Sequence, residues 1–237
     1  MKKLLGLIFK IILIILVIII VYFTAVGYSM YRDALSKQSI DDKINEIMES
    51  EKYVKLDEIP DYYWQAVVAI EDKRFFDHGP IDMFATIKAI ATDFVSKKFT
   101  TGGSTITQQL AKNLYFSQER KLERKIAELF VADKLEKMYS KEQILEIYIN
   151  VIYYGDGYYG LYDASMGYFE KLPKDLTLYE STLLAGVPNA PSVYALSKNN
   201  SYIYVRQKEI VQCMVQQGYL SEEEAKYIYE ENEQKGE

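Results

Sequence analysis

Residues 4–26 are almost wholly apolar, with Lys10 the one charged interruption, and no other feature restricts the folding of this chain more. As a helix rising ~1.5 Å per residue, such a run spans a bilayer core of about 30 Å. A cleaved signal peptide is the rival reading, and Ala25-Val26-Gly27 is a passable small-x-small site. The apolar run after Lys10 is 16 residues, however, longer than the ~7–15 of a typical signal core, so a retained anchor is expected. Lys2, Lys3 and Lys10 precede the main run without an acid among them, which places the N-terminus in the cytoplasm and residues 28–237 outside. Without those three lysines the rest holds 25 bases against 34 acids, a net −9. Bulk charge therefore offers no attraction to anionic lipid. The absence of basic blocks also argues against nucleic acid as a partner.

The 237 residues suffice for one good-sized domain plus the anchor. The single cysteine, Cys213, excludes an intrachain disulfide and a cysteine metal cluster, and its apolar neighbours predict a buried, inert thiol. The chain divides into a cytoplasmic tip and anchor (1–27), a linker with an amphipathic segment carrying Ile40, Ile44 and Ile47 (28–52), and a domain (53–237). That domain reads as mainly α. Asp61 can cap a helix through Glu71; Met83, Ile87, Ile90 and Phe94 share one side of a helix over 83–95. A long helix over 118–139 carries Leu122, Ile126, Leu129 and Phe130, with Ser117 as its cap. Ser140 with Gln143, Thr177 with Glu180 and Ser221 with Glu224 form capping-box signatures. Most of the 22 tyrosines read as packing residues with a wet hydroxyl, and a few as candidates to line a sugar cleft.

Three segments hold the chemistry. Residues 102–113, Gly-Gly-Ser-Thr-Ile-Thr-Gln-Gln-Leu-Ala-Lys-Asn, join two glycines to short hydrogen-bonding side chains and a lysine. From Thr105 the pattern can enter a helix whose N-terminus would favour an anion. The plainer alternative is a polar loop followed by a capped helix. Residues 69–78 end an apolar helix with Glu71-Asp72, then add two bases, two aromatics and the only histidine. Glu71 follows Val67 and Val68 at helical spacing and can point inward, and a partly buried glutamate with a raised pKa can act as a general base. The plainer alternative is a solvated helix end. His78 alone makes no metal site and suits a structural hydrogen bond. Finally, Arg120, Arg124 and Glu128 lie four apart on one helical face, either as a surface ion-pair ladder or as a phosphate site.

Five ordered segments over roughly 53–230 resemble the motifs of the peptidoglycan glycosyltransferases, bacterial enzymes that polymerise lipid II alone or as the first domain of class A penicillin-binding proteins. Glu71, Asp72, Phe75, His78 and Asp82 match the first motif, with Pro80 where its glycine is usual. Residues 102–113 match the second. Arg124, Lys125 and Glu128, with Ser140, Lys141, Ile144, Leu145, Tyr148 and Asn150, match the third. The glycines at 155, 157 and 160 with Tyr168-Phe169 resemble the fourth. Leu184-Ala185-Gly186 and Ala190 to Tyr194 resemble the fifth, with Ala195-Leu196 replacing the usual Asn-Pro.

The resemblance implies a lysozyme-like helical fold with a large globular lobe and a smaller membrane-facing lobe that includes part of 83–100. It implies Glu71 as catalytic base and Glu128 as second essential carboxylate. Lys112, Arg120 and Arg124 would contact pyrophosphate. Ser104, Thr105, Gln108 and Gln109 would position sugar or phosphate oxygens. Asp72, Phe75, His78, Gly102, Gly103, Asn113 and Lys125 would complete the substrate site. No cofactor is obligatory; a divalent cation, magnesium or manganese, is expected near Glu128 at the pyrophosphate. The implied partners are lipid II, the growing glycan strand, the cytoplasmic membrane and cell-wall synthesis proteins. The Ser-x-x-Lys acylation motif is missing, so a monofunctional polymerase served by a separate transpeptidase is expected. A glycan-cleaving lytic enzyme and an inactive membrane scaffold are the competing readings.

Overall fold

The computed structural model describes residues 2–96, 103–117, 119, 121–198 and 201–235. Two expected site residues, Gly102 and Arg120, lie outside the described residues. The described chain is helical, and its only β contact is an isolated antiparallel bridge between Tyr153 and Tyr159.

The first helix, α1 (Lys2–Lys37), does not stop where the apolar run ends. Residues 28–37 contain neither Gly nor Pro to break it. Its apolar side chains from Leu4 to Tyr22 are exposed, whereas its C-terminal part packs on α6 (Leu122–Met138). Tyr28 and Tyr31 both lean on Phe130, with ring centroids 5.3 and 5.7 Å away. A Cβ on Gly27 would sit 2.6 Å from Ile126 Cγ2, so only glycine allows this approach. The expected apolar stripe of α6 thus turns Ile126 and Phe130 to α1, not to the core, and Leu122 is 56% exposed. The core face of α6 is Ala127, Glu128, Val131, Ala132 and Leu135, and its N-cap is Lys121 without a side-chain bond, not Ser117.

α2 (Ile40–Met48), capped by Ser39, buries Ile40 and Ile44 in the main core, so this part of 28–52 is packed into the domain. α3 (Asp61–Glu71) begins after Pro60; Asp61 is its first residue and accepts from the Trp64 indole, and it does not cap the helix. α4 (Met83–Ser96) presents Met83, Phe84 and Ile87 to solvent at 62–66% exposure and is no core helix along that face. α5 (Ile106–Tyr115) is capped by Thr105 and packs on α6 and α7 (Lys141–Val151). α8 (Leu161–Phe169), α9 (Leu178–Gly186), the single turn α10 (Pro191–Tyr194), α11 (Tyr202–Gln216) and α12 (Glu222–Lys235) complete the lobe. The capping boxes at Ser140 and Thr177 are both formed, and Ser221 and Glu224 bond reciprocally. Cys213 is half-buried.

Two features set the site. α3 packs against α9 and α11, which brings helix ends distant in sequence to the C-terminus of α3. The loop between α7 and α8 makes a tight turn closed by Gly160 N–H to the Ile152 carbonyl at 2.9 Å. Gly160 has φ +80°, and a Cβ there would lie 2.6 Å from the Asn150 carbonyl oxygen. Gly160→Ala should therefore lose about 1–3 kcal/mol from backbone strain alone. That corresponds to a melting temperature lower by roughly 2–12 °C, measurable by circular dichroism.

Candidate active site

Glu71 is the last residue of α3, and its side chain is only 9% exposed. Its Oε2 accepts from Gln109 Nε2 at 2.9 Å, and the buried Tyr148 hydroxyl donates to Gln109 Oε1 at 3.0 Å. Its Oε1 faces Arg206 Nη2 at 3.3 Å. Helices α5, α7 and α11 thus fix one carboxylate from three directions. Each oxygen retains a free lone-pair site, since a carboxylate can accept about four hydrogen bonds.

Arg206 is the residue that sequence reasoning missed. It lies 135 positions from Glu71 on α11, also pairs with Glu209 at 3.1 Å, and leaves its buried Nε without a partner. The approach of α11 depends on Gly186, where a Cβ would meet Arg206 Cγ at 3.1 Å. A single arginine among the polar positions of an amphipathic helix carries no signal of its own; only the packing of α11 on α3 reveals it.

The second group lies on α6. Glu128 is buried, its side chain 2% exposed, and it takes Arg124 on one oxygen and Lys125 on the other, the latter at 3.1 Å. Lys125 also donates to Ser104 Oγ at 2.7 Å, tying the segment after Gly103 to α6. These are not the exposed ladder the spacing also allowed, because Arg124 is itself only 12% exposed. Lys112, one face of α5 away, makes no ion pair among the described residues. Burial pushes its ammonium below the ordinary lysine value of 10.5; Glu128 and Glu71 act in the opposite direction, while Arg124 and Lys125 add to the fall. Lys112 and Gln109 line a cleft of about 480 Å³ with Asn113, Tyr148, Tyr153, Tyr159, Pro188, Asn189, Pro191 and Ser192. Asn113 bonds back to the Gln109 carbonyl at 2.9 Å.

Several expected substrate contacts are structural. Phe75 is wholly buried under Lys141, whose ammonium lies 4.5 Å from its ring centroid, so it cannot touch a ligand. Thr105 and Gln108 are buried and both donate to the Pro80 carbonyl, at 3.1 and 2.9 Å. They pin the loop in which Pro80 stands where the family's glycine is usual. Asp72 accepts from the Ile106 N–H at the start of α5 at 3.1 Å and pairs with His78 Nε2 at 2.7 Å. Burial pushes the Asp72 carboxyl up, while His78 and the Ile106 amide oppose it. His78 also reaches the Gly79 carbonyl.

Neither metal candidate has a carboxylate free of protein partners. Both oxygens of Glu128 are taken by cations. Asp72, His78 and Asp82 bring donor atoms within 4.8 Å of one another. Asp82, however, is held by Arg74 and bonds the Ala85 N–H, and Asp72 is committed as above. An ion at either place would share a carboxylate with a protein cation.

A helical fold that holds a shielded carboxylate, Glu71, apart from a cluster of cations, Arg124 and Lys125, with Lys112 coupled electrostatically to both, suits transfer of a glycosyl group from an anionic leaving group. Residues 38–215 match the transglycosylase family. The chain is 41% identical to penicillin-binding protein 1F of Bacillus subtilis over 177 residues, which cover 75% of this chain and 25% of that protein. It is 41% identical to penicillin-binding protein 1A of Neisseria flavescens over 170 residues, 72% of this chain and 21% of that one. The crystal structure of penicillin-binding protein 1A from Haemophilus influenzae covers 74% of this chain and 17% of its own, at 22% identity and a TM-score of 0.41. The chain belongs to the transglycosylase family, in agreement with its resemblance to the peptidoglycan glycosyltransferases. It spans about a quarter of the length of the curated relatives it matches.

Proposed function

We propose that this domain polymerises peptidoglycan glycan strands from lipid II. The observation that carries the reading is the pairing of one shielded carboxylate, Glu71, with the separate cation group Lys112, Arg124 and Lys125. The 4-hydroxyl of the GlcNAc of an incoming lipid II gives its proton to Glu71 as its oxygen bonds to C1 of the MurNAc at the lipid-linked end of the growing chain. The C1–O bond to pyrophosphate breaks with inversion, and undecaprenyl pyrophosphate leaves. Pyrophosphate needs charge neutralisation where an alkoxide needs a proton, so cations stand where a glycosidase places a carboxylic acid. Glu128 holds Arg124 and Lys125 in position instead of acting on the sugar. The exposed Met83, Phe84 and Ile87 of α4 rest in the outer leaflet beside the anchor, with the N-terminus cytoplasmic.

The purified full chain in detergent or vesicles should convert lipid II to long glycan and leave purified cell-wall glycan uncut. Cleavage of glycan without polymerisation would reverse the assignment. Lys112 supplies a pH signature. Because burial lowers its pKa, its positive charge is lost below pH 10.5 as pH rises, and the alkaline limb of turnover falls with it. Lys112→Arg should move that limb upward, since guanidinium stays charged. Lys112→Ala should remove most turnover with little change in melting temperature.

A further inference from the structure

We propose that Tyr159 is the platform on which a pyranose ring of the glycan substrate lies by its apolar face. The inference rests on the glycosyltransferase reading of the same cleft and assigns it a sugar subsite.

Tyr159 is 64% exposed, whereas its neighbours in the turn each have a packing role. Tyr154 is buried with its hydroxyl on that of Tyr63, and Tyr158 stacks edge-on against Tyr168 at 5.0 Å. Tyr153 is half-buried, and its hydroxyl accepts from the Gly157 N–H at 3.2 Å. Only Tyr159 projects, and it is held firmly. It pairs with Tyr153 through the isolated bridge, and the two rings lie 4.7 Å apart at 35°. The turn beneath them uses left-handed backbone at Gly155, Asp156, Gly157 and Gly160. A solvent-facing aromatic on so constrained a base is preorganised, which lowers the entropy lost when a ligand settles on it.

The surroundings define the ligand. Tyr153 and Tyr159 form one wall of the cleft that reaches Gln109, the residue bonded to Glu71. Asn113, Asn189, Ser192 and Lys112 supply polar groups around it. An N-acetylhexosamine has that same division, axial C–H groups on one face and hydroxyl and amide groups at its edge. The aromatic ring covers the first and the polar rim bonds the second.

The test uses the full chain in detergent with two probes, chitotetraose and lipid II. Tyr159→Ala should weaken chitotetraose binding by calorimetry about five- to tenfold, and raise KM for lipid II similarly with kcat little changed. Tyr159→Phe and Tyr159→Trp should behave as wild type, because the ring is what acts; melting curves check folding. A Tyr159→Phe variant as impaired as Tyr159→Ala would overturn the proposal, as would an unchanged lipid II KM in Tyr159→Ala. If the wild-type chain binds chitotetraose through Tyr159 yet makes no glycan, the platform stands and the polymerase reading fails. If it polymerises lipid II with Tyr159→Ala unaffected, the reverse holds.

Discussion

Glu71→Gln should reduce glycan synthesis by about 100- to 10,000-fold, the range expected when a general base is removed, while lipid II still binds. The amide is nearly isosteric, and its oxygen can still accept from Gln109 or from Arg206. Folding should therefore be retained, although the ion pair to Arg206 is lost. Single-turnover polymerisation and an independent lipid II binding measurement separate chemistry from affinity. Retained synthesis would remove Glu71 from the role of base. Equal loss of binding and synthesis would make it a substrate anchor.

Glu128→Gln should be nearly as damaging, for a different reason. Glu128 is the counter-charge of Arg124 and Lys125 in a buried position. For Arg124, removing its partner in a buried ion pair costs about 3–5 kcal/mol because the guanidinium stays desolvated, whereas Lys125, 37% exposed, is screened by water. Turnover should fall about 100- to 1,000-fold as the cations lose their placement on the leaving group. Adding Arg124→Gln in the same chain removes the desolvated orphaned cation and should recover part of the melting temperature but none of the activity. Recovery of activity with stability would show that Glu128 acts only on folding.

The sequence exposes whatever is local. The capping boxes at Ser140 and Thr177 form as the spacing predicts, because a cap is decided within four residues. The inward aim of Glu71 follows from its spacing after Val67 and Val68, and its side chain is indeed shielded. What depends on distant packing was not legible. Thr105 and Gln108 read as sugar-binding groups because composition cannot tell a hydroxyl or amide facing a ligand from one holding the Pro80 carbonyl. The stripe of α6 was visible as apolar, but not that α1 packs on its Ile126 and Phe130. Arg206 needed the crossing of α11 over α3, which no periodicity reports.

The continuation of α1 past the apolar run has a consequence for where chemistry happens. Its 36 residues make a rod of about 54 Å, of which about 30 Å fits in a bilayer core. Gly27, the first residue beyond the apolar run, already touches Ile126, and Arg124, Lys125 and Glu128 stand within two residues of that contact. With α1 across a membrane, these three residues are held at headgroup depth, where the diphosphate of the proposed lipid-linked substrate would reside. The carrier need not be lifted out of its leaflet. Encounter becomes a two-dimensional search governed by the surface density of substrate, and the polymer grows outward from a fixed plane.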